Sequence, residues 1–237
     1  MKISNFIRKA MVRVPAVGPH LKGKAKFLFA AVHAQPYKTY DYMLDQVRRL
    51  VTTLYNNQLG GDFIDLMANL ISGQLTQAYQ QAFEDEGFTD MFLPDYLQES
   101  LTSMILQQYD FVDRFFRDII DARLAGSSID PLLARAELWA GQWNTAYERA
   151  QLLINSKMGG KMVWREGDTK DKCDQCVALD GIVAFASEWD ALDVHPKGAP
   201  NSTLDCGGWH CECELKPTNQ RRSPNAYERI QRIISKG

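Results

Sequence analysis

All five cysteines of this 237-residue chain fall within 41 positions near its end, at Cys173, Cys176, Cys206, Cys211 and Cys213. Cys173 and Cys176 make a C-x2-C pair, and Cys206, Cys211 and Cys213 make C-x4-C-x-C. A tight C-x2-C turn points two sulfurs at one ion, and four soft thiolates suit a tetrahedral zinc. Two such clusters 30 residues apart therefore read as one structural Zn2+ site. The competing readings are a disulfide pair, which needs an oxidising compartment, and free buried thiols. Five thiols compete for four positions, with His195 and His210 as further candidates. The spacing favours Cys173, Cys176, Cys206 and one of Cys211 or Cys213. If residues 211–213 form a strand, both of those thiols point the same way and can replace Cys206.

A thiolate surplus argues for a closed, structural site rather than an open catalytic one. The deaminase pattern H-x-E with P-C-x-x-C is missing, as are H-E-x-x-H, G-x-S-x-G and a P-loop. Asp168, Asp171, Asp174 and Asp180 lie in loop sequence, where aspartates serve as turn and cap residues. The chain is expected not to be an enzyme. The alternative is a zinc-supported nuclease or toxin-like effector that depends on Asp168 or Asp180.

Charge is unevenly laid out around a formal net of −2. Residues 1–40 hold eight basic and no acidic side chains, among them Lys2, Arg8, Lys9, Arg13, Lys22, Lys24 and Lys26. These seven are the candidate nucleic-acid contacts, since a basic arm attracts polyphosphate. A DNA-binding adaptor working through this arm is a further alternative. Residues 216–237 add six basic side chains against Glu228. The cysteine region is different, with five basic against eleven acidic side chains between 161 and 215. That sign repels phosphate, so this module is expected to contact protein.

The elements that must carry these residues follow from periodicity. Residues 1–39 hold Pro15, Gly18, Pro19, Gly23 and Pro36 and read as a flexible basic arm with one short helix at Ser4–Val12. Residues 40–160 read as a helical domain. Helices are expected at Tyr42–Leu59 and at Gly61–Glu86, the latter on the spacing Phe63, Met67, Leu70, Ile71, Leu75, Tyr79 and Phe83. A second stripe runs from Leu97 to Leu124 and a third, started by Ser128 or Asp130 with Pro131, to Leu153, each as one helix. Their aromatics are expected in the core. Residues 161–217 form the cysteine-rich module, with short strands at "KMVWRE" and "IVAFA". Trp189 and Trp209 lie buried under its loops or form a contact surface. Residues 218–237 give a basic tail with a helix capped by Ser223, Pro224 taking its first position. The fold class is thus mainly α: an N-terminal helical bundle followed by a small zinc-stapled α+β module. No run of about 18 apolar residues marks a membrane span. Phe27–Ala34 is too short for a signal core.

The order W-R-E-G-D, C-D-Q-C-x-x-L-D-G, then C-G-G-W-H-C-E-C-x-L-x-P resembles the C-terminal module of phage minor head proteins, the Mu F-like head morphogenesis family. Trp164, Cys173, Cys176, Leu179, Gly181, Cys211, Cys213 and Pro217 match that family's pattern, and Cys206 stands where it has an upstream His or Cys. The resemblance covers residues 162–217. It implies a minor capsid protein present in few copies and associated with the portal and head interior. Its partners would be portal or other capsid proteins, with packaged DNA along the basic termini and no membrane. Its place would be the virion, after assembly in the host cytoplasm.

Overall fold

The computed structural model describes residues 40–88, 92–168, 172–197, 203–208 and 211–235. The arm of residues 1–39, with its candidate DNA contacts and the helix expected at Ser4–Val12, lies outside them. So do Trp209 and His210.

Among the described residues, the first half holds five helices: α1 (Tyr40–Tyr55), α2 (Asp62–Asp85), α3 (Asp95–Leu124), α4 (Asp130–Ala140) and α5 (Gln142–Met158). The amphipathic stripes become one core. Phe63, Met67, Leu70, Ile71, Leu75, Tyr79 and Phe83 of α2 are all buried. α2 packs along α3 and α5, while α1 lies on α4. Phe115 of α3 sits between Phe63 and Trp139, with ring centroids at 6.4 and 4.7 Å. Aromatic contacts at such separations add to area burial.

The third stripe is two helices rather than one. The break falls at Gly141, which closes α4 by donating its N–H to Glu137 O at 3.1 Å and leads straight into α5. Glycine is a weak helix former, and the break lets Trp139 face the α1–α3 side while α5 runs along α2. At the other end of α5, Gly159 takes φ +70°, a left-handed stop that glycine adopts without a Cβ penalty.

The second half is built on a three-stranded antiparallel sheet: β1 (Lys161–Arg165), β2 (Val183–Phe185) and β3 (Glu214–Pro217), in the order β2–β1–β3. Short helices α6 (Asp174–Leu179) and α7 (Ala186–Ala191) lie between β1 and β3, and α8 (Ala226–Ile234) closes the chain. Its core holds Trp164, Trp189, Leu179, Ile182, Leu215, Ala226 and Ile230, with Cys176 and Cys213 among them. Trp189 is buried, and its indole N–H donates to Met162 O at 3.3 Å.

The terminal helix starts two positions later than expected, after Asn225 rather than Ser223. Ser223 is otherwise engaged. Its hydroxyl accepts Val183 N–H at 3.0 Å, and its own N–H donates to Val183 O at 2.8 Å. It therefore pairs with the free side of β2. Among the described residues, no helix is long and apolar enough to cross a membrane.

Candidate metal centre

The first sulfurs are placed by a helix start. Cys173 has extended backbone (φ −73°, ψ 134°) and caps α6, its Sγ accepting Cys176 N–H at 3.4 Å. Cys176 then projects from the first turn of the same helix. A C-x2-C pair is thus a helix N-cap and its third neighbour. The "LDG" that follows locks this knuckle to the sheet. Gly181, at φ +72°, donates its N–H to Trp164 O at 3.0 Å, and Trp164 N–H returns to Ile182 O at 3.1 Å.

The other three sulfurs arrive from across the sheet. β3 pairs with β1 in the register Trp164↔Leu215 and Arg165↔Glu214, which brings the C-x-C segment beside the knuckle. That segment ends where the strand begins: residues 211–213 precede β3 and are not themselves strand. The same-side argument from strand alternation therefore does not apply to Cys211 and Cys213. Cys206 sits on a tight loop whose Gly207 and Gly208 have φ of +59° and +76°.

All five thiols converge. Sγ atoms of Cys173, Cys176 and Cys206 lie within 4.8 Å of one another, as do those of Cys176, Cys211 and Cys213. Cys176 belongs to both groups. The five are free thiols with no disulfide, and Cys176 and Cys213 are buried. Soft, mutually close, largely water-excluded donors are what a thiophilic metal ion requires. The site therefore fits a metal ion.

The electrostatics agree. Cys176 is pushed far up by holding its proton against Cys211 and Cys213, with burial adding. Burial also raises Cys206. Cys213 is held down to about 3 by hydrogen bonds from Cys176 and Cys211, joined by the Gly167 N–H. Packed thiols can share one negative charge but cannot all ionise without a cation. A metal ion held by these thiols would take the place of the protons.

Next to the thiols is a half-buried ion pair. Glu148 of α5 accepts from Lys197 Nζ at 2.6 Å, and Glu214 lies 3.8 Å from the same ammonium. Burial raises the Glu148 carboxyl to about 7, against the pull of Lys197; Glu214 and Cys211 push the same way as burial. Arg149 pairs with Asp190 of α7 at 3.0 Å, so α5 is tied to the module at two places.

His195 stays outside the sulfur cluster and sits 3.5 Å from Asp193. Asp171 lies outside the described residues, and the other loop aspartates do not gather. Asp180 Oδ1 accepts Glu166 N–H at 3.0 Å, Asp174 opens α6, and no carboxylate belongs to a metal-type cluster among the described residues. Besides Glu148 and Lys197, sequence reading missed Gln175 and Arg222. Gln175 takes Asp205 N–H at 2.7 Å and donates to Ile233 O at 3.4 Å, joining α6 to the Cys206 loop and to α8. Arg222 of the basic tail grips Glu188 with two nitrogens.

No family model, curated protein or solved structure matches the chain.

Proposed function

We propose that this chain is a non-enzymatic structural protein of a phage virion, a minor head protein of the Mu F-like type acting in head morphogenesis near the portal. Its C-terminal module is held by one structural zinc. The observation that carries the reading is the order and convergence of the module's parts. A Trp164 strand, the Cys173–Cys176 knuckle, the Leu179–Gly181 turn and the Cys211–Cys213 segment meet around shared sulfurs. Zinc, when bound, supplies a redox-inert tetrahedral crosslink. The chain supplies the rest. Cys173 caps α6, Gln175 fastens the Cys206 loop, and Glu148 with Lys197 joins the module to the bundle. The result is a rigid, acidic unit suited to docking on portal or capsid proteins, while the basic arm from Lys2 to Lys26 meets packaged DNA.

The test is quantitative mass spectrometry of purified, DNA-filled particles, scaled to the major capsid protein. A low, fixed copy number is the expected result. Absence from particles despite abundance in infected cells contradicts it and turns attention to the nuclease and adaptor alternatives.

A further inference from the structure

A zinc ion takes four sulfurs at the corners of one tetrahedron, whose edges are about 3.8 Å for bonds of about 2.3 Å. The five thiols do not stand that way. Among the described residues, no four of the sulfurs all lie within 4.8 Å of one another. They form two triangles instead, one of Cys173, Cys176 and Cys206 and one of Cys176, Cys211 and Cys213, which share the Cys176 corner. Zinc must draw a sulfur of one triangle inward to complete the other.

Each triangle has its own supports. The first is set by the start of α6, where Cys173 Sγ accepts Cys176 N–H at 3.4 Å, and by Gln175, which holds the Cys206 loop through Asp205 N–H at 2.7 Å. The second is set by the β1–β3 register and by Gly167. A Cβ at position 167 would stand 2.4 Å from Glu212 Cβ and 2.5 Å from the Glu212 carbonyl carbon. Glycine alone lets the chain after β1 lie this close to the C-x-C segment. The shared corner, Cys176, is buried.

Three sulfurs around a point are one too few for zinc, but they complete the shell of a soft monovalent ion. Cu(I) is thiophilic and closed-shell, and three thiolates in one plane satisfy it. A thiolate sulfur has lone pairs for two such ions, so two triangles with a common corner need these five donors and no others. Among the described residues, no imidazole nitrogen or carboxylate oxygen joins either triangle. A pair of divalent tetrahedral ions would therefore lack ligands here.

We propose that the module also binds copper as Cu(I), two ions per chain, one in each triangle, with Cys176 Sγ as the bridge between them. Copper then uses every thiol, whereas a single zinc leaves one over. Sulfur geometry carries this capacity, independently of the zinc and virion readings.

Full-length protein, reduced and freed of metal, is titrated without oxygen with the Cu(I)–acetonitrile complex in the presence of bicinchoninate, and the copper it retains is counted by elemental analysis. Two copper ions per chain are expected, each with three sulfur neighbours by X-ray absorption at the copper edge. Cys206→Ser and Cys211→Ser each open one triangle and are each expected to keep one copper. Cys176→Ser opens both and is expected to keep none against the chelator. Saturation of the unaltered chain at one copper, or copper with two sulfur neighbours, overturns the proposal without any variant having to fold. So does a Cys176→Ser chain that still holds two. Zinc uptake, measured separately on the same protein, keeps the readings apart. Two copper ions without zinc uptake overturn the zinc reading alone, and one zinc without two copper ions overturns the copper proposal alone.

Discussion

Lys197 and Glu148 meet at 2.6 Å where water is mostly excluded. Burial raises the carboxyl from its ordinary value of 4.5 to about 7. The fold therefore favours the protonated form. The stability this contributes is fully present below pH 4.5 and is lost as pH rises through 7. Lys197 offsets that loss by donating to the ionised carboxylate. Lys197→Met should accordingly cost about 3 kcal/mol at pH 8, where it strands a buried charge, and clearly less at pH 5. Urea unfolding at the two pH values checks this, and equal costs would contradict it. Gly167→Ala should weaken zinc binding by roughly tenfold or more, as loss of a supporting contact does, while helical circular dichroism stays unchanged. Competition with a chromophoric chelator reads the affinity. At this scale the sulfurs were legible, because C-x2-C and C-x-C are local patterns. The Lys197–Glu148 pair was not, since its members are 49 positions apart and only packing brings them together.

Among the elements, the long helices α1 to α3 could be read from their apolar spacing to within a few residues. Their stripes are continuous, and breakers flank them. The joint at Gly141 was passed over because the apolar spacing runs on from Trp139 to Trp143 across it. Its φ is −73°, and a Cβ there meets nothing closer than Glu137 O at 3.7 Å. Gly141→Ala should thus stabilise the bundle by about 0.5–1 kcal/mol through the unfolded chain, measurable as a higher Tm. The short helices α6 and α7 were invisible to periodicity, each being six residues long. α6 exists because Cys173 caps it and because Gln175 anchors its buried side. Gln175→Ala removes partners from Asp205 N–H and Ile233 O. Leaving those groups unpaired should cost about 1–3 kcal/mol and loosen the Cys206 loop. Denaturant titration reports the cost, and faster metal release in a stopped-flow chelation reports the loosening. The start of α8 was misplaced for a related reason: Ser223 caps no helix because it pairs with Val183.

Across the whole molecule, two cores meet along α5. Ile154 of that helix belongs to the bundle core and Leu152 to the module core. The bundle core is extensive and aromatic, whereas the module core draws on short strands, two six-residue helices and five thiols. The fold class was legible because each half has its own texture: helical stripes before Gly160, then short strands and turns. The docking of the halves was not, since it depends on Glu148, Arg149 and Leu152, residues on a helix that reads as bundle throughout. Chelation should therefore act unevenly. The module should open, shifting the fluorescence of Trp164 and Trp189 to the red, while most of the helical signal remains. A single concerted loss of both signals would show that the bundle cannot stand without the metal. The central claim is that the cysteines form one thiolate zinc site that holds this module together. X-ray absorption at the zinc edge on the purified full-length chain tests it most directly. The account predicts one zinc per chain with four sulfur neighbours at about 2.3 Å. A chain without zinc, or a zinc surrounded mainly by oxygen and nitrogen, would contradict it.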